Sequence, residues 1–454
     1  MTLAADTIVA IATAAGRAGV GMIRISGPQA RRVAETIAGP VPQPRMASLR
    51  RFRRSDATVL DEGLLLYFPG PHSFTGEDVV ELQAHGSPIA LAEIVEALCL
   101  AGARMAQPGE FSERAFLNGR MDLAQAEAVA DLIDASSRAA ARAATRSVQG
   151  EFSQCIEGAV ESLIQLRVLL EAALDFADEE VPAASPAAVR ARLEVIATEL
   201  RAVQHAAAQG RRLREGMRVA IAGRPNVGKS TLLNRLAGTE AAIVSPQAGT
   251  TRDVLREHIV IDGLPLTIVD TAGLRESEDA IEREGVRRAQ TEIAQAELVL
   301  LVIDDRSNGD DATPEQLLPW IDKNRNLQTL IVRNKCDLSG VVAGPDVDQQ
   351  GGAVLRVSAA TGAGFDALVA ALKHAAGLDD SGAQIYSARA RHLEALQDAQ
   401  LHLQAALKRS SEHFDAVLIA EELRLAQQAL EAITGKFSSE DLLGRIFATF
   451  CLGK

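Results

Sequence analysis

No apolar run in these 454 residues approaches the roughly 20 needed to span a bilayer, so nothing in the sequence reads as a membrane segment. The N-terminus is also expected to make a poor signal peptide. The opening MTLAADTIVAIATAAG has no basic n-region and places Asp6 ahead of its apolar stretch, which favours a β-strand over a signal peptide. Cysteine is scarce: Cys99, Cys155, Cys336 and Cys451 lie far apart and form neither a C-x-x-C pair nor a zinc spacing. Reduced thiols and a cytoplasmic setting are expected. Positive charge is in deficit, 47 Lys and Arg against 60 Asp and Glu, a formal −13. That argues against a surface coated with phosphate-binding cations, so any RNA contact has to be local or shared with a partner. Repeats of fixed period and long low-complexity tracts are absent, the Ala-rich stretch 135–144 coming nearest.

What is present is length, and a texture that changes along it. Units of about 100–200 residues imply roughly three domains in a chain this long. Residues 1–118 mix strand-like runs (Val20–Ser26, Gly63–Phe68), a turn cluster at Phe68-Pro-Gly-Pro-His72 and one helical stretch, Pro88–Leu100, as in a small α+β domain. Gly16-Arg-Ala-Gly19-Val-Gly21 leads into a strand rather than a helix and reads as a loop, not a dinucleotide site. From Asp122 to about Gln209, Leu163, Leu166, Leu170 and Leu174 recur at helical spacing. The same texture returns after Arg389 with Leu393, Leu396, Leu401 and Leu403. Between these blocks, the apolar runs Met217–Ala222, Leu264–Asp270, Leu298–Asp304, Thr329–Asn334 and Ala353–Ser358 alternate with helical segments. The expectation is a multidomain α/β chain: an N-terminal α+β domain (1–118), a discontinuous all-α helical domain (119–214 and 379–454), and an inserted α/β domain with a mainly parallel sheet (215–378).

Gly223-Arg-Pro-Asn-Val-Gly228-Lys229-Ser230 fits G-x-x-x-x-G-K-[ST] and lies between a strand and a helical run, Thr231–Leu236. Such a loop surrounds phosphate oxygens with backbone N–H groups; Lys229 supplies a point charge and the Ser230 hydroxyl suits Mg²⁺. The motif alone arises by chance in roughly 2% of chains this long, so its companions decide the matter. Asp270-Thr271-Ala272-Gly273 ends a strand, placing a carboxylate for Mg²⁺ through water and a glycine N–H for the γ-phosphate. Asn334-Lys335-Cys336-Asp337 ends another, and its Asp337 suits a base with two adjacent N–H donors, which guanine has and adenine lacks. Ser358-Ala359-Ala360 follows the last strand. GTP is therefore favoured over ATP, with Asn226, Val227, Gly228, Lys229, Ser230, Thr231 and these later motifs as its expected contacts, and 215–378 is expected to be an inserted Ras-like P-loop G domain with a mainly parallel sheet. Gly249-Thr250-Thr251-Arg-Asp253 lies where a switch loop brings a second Mg²⁺-binding hydroxyl; Thr251 is preferred and Thr250 is its rival.

A glutamine that would orient the attacking water is missing, because Leu274 follows the D-x-x-G glycine. An arginine finger or a monovalent cation has to stabilise the transition state instead. Asn226 offers a side-chain carbonyl inside the phosphate loop for K⁺, the plainer reading being a turn residue tolerant of left-handed geometry. Any of Glu276, Glu278, Asp279, Glu282 and Glu284 can align water, or the cluster is the acidic first turn of a helix.

With its G motifs set between two helical blocks and its end at Phe450-Cys451-Leu-Gly-Lys454, the chain resembles the MnmE (TrmE) family of bacterial tRNA-modification GTPases. Asp6-Thr-Ile-Val9, Arg24-Ile-Ser-Gly27, Phe74-Thr-Gly-Glu-Asp78, Pro108-Gly-Glu-Phe-Ser-Glu-Arg-Ala-Phe116 and Asp122-Leu-Ala-Gln-Ala-Glu127 carry the likeness through all regions. The resemblance implies a homodimer formed through the N-terminal domains. It implies an FAD-containing partner, MnmG (GidA), in a heterotetramer that modifies carbon 5 of the tRNA wobble uridine to the carboxymethylaminomethyl or aminomethyl form. A tetrahydrofolate derivative (5-formyl or methylene) then contacts Arg24, Glu81, Arg120 and Lys454; the family usually has Lys near position 120, and a guanidinium is not its equivalent. GTP contacts extend to Ser245, Gln247 and Ala248. K⁺ falls to Asn226, Ser245, Gln247 and Thr250, and Glu282 serves the attacking water. Taken alone, Cys451 is a small apolar residue of the kind that fills cores, yet its place beside Lys454 also allows a thiolate role.

The competing reading is a ribosome-assembly or regulatory switch GTPase without RNA chemistry. It would carry a KH-like G-x-x-G loop in basic surroundings or a basic tail, and neither is evident in the sequence. A membrane-remodelling G protein would want an amphipathic membrane segment, which is likewise not evident.

Overall fold

The structure, a computed structural model, describes residues 6–175, 185–238, 256–261, 263–270, 296–306, 328–347, 353–378, 385–412, 414–436, 440–450 and 453. They fall into two compact units, one of Met1–Ala130, Ser147–Thr198 and Ala395–Lys454, the other of Asp131–Arg146 and Glu199–Glu394.

In the first unit, a six-stranded sheet is built from β1 (Ile8–Ile11), β2 (Ala18–Ser26), β3 (Ser48–Arg53), β4 (Val59–Phe68), β5 (Val79–Gly86) and β6 (Arg104–Met105), in the order β3-β4-β5-β2-β1-β6. Side chains alternate across a strand, so Ile23 and Ile25 of β2 enter one face while Arg24 enters the other. On the first face they meet Phe52, Leu65, Leu82 and the buried stripes of α1 (Ala30–Ala38) and α2 (Pro88–Leu100), including Val33, Ile94 and Leu98. Ser87 caps α2, accepting from the Ala90 N–H, with Pro88 at the first helical position. The opposite face carries Ile8, Ala10, Ala106 and Phe111, the last from α3 (Glu110–Leu117). Strand β2 begins at Ala18, so Gly19 and Gly21 belong to its irregular first half rather than to a loop; a Cβ on Gly21 would overlap Leu91.

Helices α4 (Leu123–Ile133), α5 (Arg138–Val148), α6 (Glu151–Asp175) and α7 (Pro186–Glu215) follow. Of the leucine stripe on α6, Leu163, Leu166 and Leu170 are buried, whereas Leu174 is exposed. The apolar seam thus ends before the helix does.

In the second unit, β7 (Met217–Ala222) leads into α8 (Lys229–Ala237), and then come β8 (Arg256–Ile261), β9 (Leu264–Asp270), β10 (Leu298–Asp304), β11 (Gln328–Asn334), α9 (Cys336–Ser339), β12 (Gly344–Val347), β13 (Ala353–Val357) and α10 (Phe365–Ala375). The sheet order is β12-β13-β11-β10-β7-β9-β8. Its five inner strands are parallel, and antiparallel β8 and β12 close the two edges. Parallel strands buried on both faces read as unbroken apolar runs, which is the texture of Leu298–Val302.

The last helices are α11 (Ala390–Glu412), α12 (Ala416–Thr434) and α13 (Glu440–Phe447). Leu396 and Leu403 of α11 are buried but Leu401 is exposed. Within the first unit α12 packs along α6, and Arg167 donates to Gln427 across the pair at 2.8 Å. Phe447 of α13 and Phe450 join Leu123, Ala126 and Ala130 in a small aromatic core. Among the described residues no helix is long and apolar enough to cross a membrane.

Candidate nucleotide site

Three loops meet at the carboxyl ends of β7, β11 and β13, where open α/β sheets bind their ligands. The first, Gly223–Lys229, turns through three left-handed or positive-φ residues: Gly223 (φ 152°), Asn226 (φ 64°) and Gly228 (φ 96°). Only glycine fits at the two ends, because a Cβ on Gly223 would overlap the Val302 carbonyl and one on Gly228 would overlap Asn334 Nδ2. Lys229 is buried, and its ammonium donates to the carbonyls of Gly223 (2.8 Å) and Arg224 (3.0 Å). Its charge thus sits inside the loop's own curve. Ser230 and Thr231 are exposed in the first turn of α8, at the helix end that favours anions. Ser230 therefore has the chemistry and the placement to serve a cation beside phosphate.

The second loop is tied to the first by Asn334, which is almost fully buried. Its side-chain amide donates to the Val227 carbonyl at 2.9 Å, and its side-chain carbonyl accepts from the Ala359 N–H at 2.9 Å. One side chain therefore fixes the phosphate loop, its own loop and the Ser358–Ala360 loop in mutual register. Lys335, also left-handed (φ 71°), donates to the Asn226 carbonyl at 2.6 Å. Asp337 is left exposed at the start of α9. Burial pushes the neighbouring Cys336 thiol up, keeping it protonated.

The third loop closes on itself: the Ser358 N–H donates to the Ala363 carbonyl and Ser358 Oγ accepts from the Thr361 N–H. Arg235 of α8 reaches over it, donating to the carbonyls of Ala359 (2.7 Å) and Ala360 (2.6 Å), with its guanidinium over the Phe365 ring. No motif marks Arg235, which lies 124 residues from its acceptor, and sequence reasoning passed over it.

The Asp270 backbone ends β9 and pairs with Ile221, beside the start of the phosphate loop. Ser245, Gln247, Ala248, Gly249, Thr250, Thr251, Thr271, Ala272, Gly273, Glu282, Cys451 and Lys454 lie outside the described residues, as do Glu276, Glu278, Asp279 and Glu284.

A second polar constellation occupies the N-terminal sheet. Arg24 and Glu81 stand directly opposite each other in the β2–β5 register, and Arg24 Nε donates to Glu81 Oε1 at 3.0 Å. The guanidinium lies 4.9 Å from the Phe74 ring centroid and 5.8 Å from that of Phe111. Ser26, two residues along the same strand face, contacts Thr75 Oγ1 and donates to Glu77. Arg114, buried, binds Glu77, Asp6 and Glu110, while Arg104 joins Asp6 to Glu110. Burial alone would raise the Glu110 carboxyl, but hydrogen bonds from Arg104, the Gln107 N–H and Arg114 hold it below the usual carboxylate range. Arg120 is exposed, its stem near Gly76, whose missing Cβ leaves that room. Gly453 (φ 91°) packs against the Ile11 carbonyl at the end of β1, the strand beside β2.

A glycine loop between a strand and a helix, with the Asn334 and Ser358 loops tied to it, defines a P-loop GTPase. The MnmE helical domain family matches residues 123–451, and the family of the GTP-binding protein TrmE N-terminus matches residues 7–120. The tRNA modification GTPase MnmE of Stutzerimonas stutzeri is 53% identical over 456 residues, covering 100% of each chain. Among solved structures, Aquifex aeolicus Era bound to GDP·AlF4⁻ is 27% identical, over 41% of this chain and 66% of that one, with a TM-score of 0.28. The G domain of T. maritima FeoB is 24% identical, over 35% and 98%, with a TM-score of 0.25. The chain belongs to the MnmE (TrmE) family of tRNA modification GTPases. It is a GTP hydrolase that uses GTP with Mg²⁺.

Proposed function

We propose that this GTPase hydrolyses GTP in a K⁺-dependent reaction and thereby drives modification of carbon 5 of the tRNA wobble uridine. The observation that carries the K⁺ reading is the conformation of Asn226. Its backbone is held in the left-handed region, and its carbonyl is engaged by Lys335, so its side-chain amide is presented from a fixed point of the phosphate loop. A side-chain carbonyl there suits a weakly hydrated monovalent cation set against the phosphates, which stabilises developing charge where no glutamine follows the D-x-x-G glycine. Ser245, Gln247 and Thr250 complete the K⁺ set, Ser230 and Thr251 hold Mg²⁺, Lys229 stabilises phosphate charge and Glu282 aligns the water.

The N-terminal constellation supports a tetrahydrofolate site. Arg24 between two aromatic rings, paired with Glu81, offers charge and a stacking surface to a flat, anionic ligand; Arg120 and Lys454 contribute further cations. Cys451 acts on the pyrimidine or an intermediate. The division into an N-terminal domain (1–118), a helical domain (119–214 and 379–454) and a G domain (215–378), dimerisation through the N-terminal domains, work in the cytoplasm and a heterotetramer with the FAD-containing MnmG (GidA) complete the proposal. It rests on the family membership and on the residues shared with that family.

The test is GTP turnover in K⁺ against Na⁺ at equal ionic strength, with Asn226→Ala alongside. Stimulation of about tenfold or more by K⁺, abolished in the variant, is the expected outcome. Equal rates in the two salts would reject cation-assisted hydrolysis and point to an arginine supplied by a partner.

A further inference from the structure

At the carboxyl end of β10, consecutive carboxylates divide between two parts of the nucleotide site. Asp305 is fixed first: its N–H donates to the Asn334 carbonyl at 2.8 Å, and its carboxylate accepts from Arg356 Nε at 3.0 Å and from Ser339 Oγ. Only 1% of that side chain is exposed, so the end of β10 has no freedom to turn. Asp304 is thereby aimed at the base-side loop. Its Oδ2 accepts from Lys335 Nζ at 2.8 Å, and the same ammonium donates to the Asn226 carbonyl at 2.6 Å. Arg306 forks onto Asp304 from the solvent side at 2.8 and 3.0 Å, which holds the carboxylate plane in place.

We propose that Asp304 is a positioning residue that holds Lys335 against the phosphate loop and so governs how long guanine nucleotide is retained. Lys335 has three donors and a flexible stem; without a fixed anion it has no reason to keep the one orientation that bridges to Asn226. Its left-handed backbone adds to the demand, since a non-glycine residue in that region persists only where its surroundings over-determine it. The Asp304 carboxylate supplies that determination. Because the same ammonium engages the Asn226 carbonyl, freeing Lys335 loosens the base loop and also the fixed point from which the Asn226 amide is presented, so the effect falls on nucleotide release and, through Asn226, on hydrolysis in K⁺. This inference rests on the assignment of Asn334–Asp337 to the guanine base.

The experiment uses the full chain with a fluorescent GDP analogue. Release rates are measured for the wild type, Asp304→Asn, Lys335→Met and the double variant, with single-turnover GTP hydrolysis and thermal melting in parallel. Asp304→Asn should speed release about tenfold, the loss of one charge-assisted hydrogen bond, and lower single-turnover hydrolysis in K⁺ in the same direction as Lys335→Met. In the Lys335→Met background the same substitution should add less than about twofold, because a residue that acts through another gives a non-additive cycle. Release within twofold of wild type in Asp304→Asn, or additive effects in the cycle, would each overturn the proposal. Should Asp304→Asn melt clearly below wild type, Asp304→Glu, which keeps the charge and shifts its position, carries the same cycle. Asp337→Asn, assayed with GDP and xanthosine diphosphate, tests the base assignment separately. An amide there should favour xanthine's 2-carbonyl over guanine's amino group; no change of preference would remove the assignment itself, whatever Asp304 does.

Discussion

Gly228 shows how a single residue carries both conformation and contact. Its φ of 96° disfavours any side chain, and a Cβ would clash with Asn334 Nδ2, the atom that ties Val227 to the Asn334 loop. Gly228→Ala is therefore expected to weaken GDP binding by at least about tenfold through backbone strain and loss of that tie, measured by equilibrium titration with fluorescent GDP. Such residues are legible in sequence because the motif is local: the glycines, Lys229 and Ser230 sit within one loop whose backbone dictates them. Asp304 and Arg235 were not, since their partners lie 31 and 124 residues away and nothing in the intervening chain marks the pairing. Acid response also belongs at this scale. Asp6 and Glu110 are held below their ordinary values by Arg104 and Arg114 against the opposing effect of burial. A carboxylate with a depressed folded-state value contributes stability above its unfolded value, near 4, that is lost as pH falls through the folded one. Glu110→Gln should flatten the fall of stability between about pH 5 and pH 3 by up to roughly 1.4 kcal/mol per pH unit, read from urea unfolding followed at the N-terminal domain.

Among the elements, the end of α7 is held both by backbone contact and by charge. Gly210 lies inside that helix, where a Cβ would overlap the Tyr386 carbonyl, so the segment before α11 passes in direct backbone contact with the helix. Asp131, nearly buried at the end of α4, accepts from Arg214 Nε (2.8 Å), Ser387 Oγ (2.6 Å) and Arg389 Nη2 (2.8 Å). These donors flank both chain connections of the G domain, so one carboxylate clasps its entry and its exit. Asp131→Ala leaves two cations and a hydroxyl without their common acceptor and should cost about 3 kcal/mol. Hydrogen exchange should then rise at 210–215 and 385–389 and stay unchanged in β1–β5; unchanged exchange at both connections would show the clasp to be dispensable. Elements of strong period were readable in advance, Pro88–Leu100, Met217–Ala222, Leu264–Asp270 and Leu298–Asp304 to the residue. Strands β8 and β12 were not, because an edge strand need not be apolar on both faces and REHIVI and GPDV carry no strong alternation.

At the scale of the molecule, the question is where the G domain's core ends. The apolar residues of its sheet and helices, among them Val219, Leu232, Leu266, Leu300 and Leu368, form one cluster with Leu213 and Ala140, against which Ala139 and Ile385 also pack. The last four lie outside 215–378. A reading from local texture sets the boundary where strands replace helices, whereas packing sets it where apolar surface stops being shared, and the two need not coincide. Burying a leucine contributes about 2 kcal/mol, and an isoleucine partly buried adds to it. For a domain of this size 1 kcal/mol corresponds to roughly 2–4 °C. A fragment spanning 199–394 should therefore melt about 5–10 °C above one spanning 215–378, while both bind GDP with the same affinity, since every described residue of the nucleotide loops is common to them. Equal melting would place the energetic boundary at 215–378 and make the shared cluster a contact of little weight. A higher melting point for the longer fragment would mean that α7 and the segment before α11 are part of the structure that GTP binding and hydrolysis act upon.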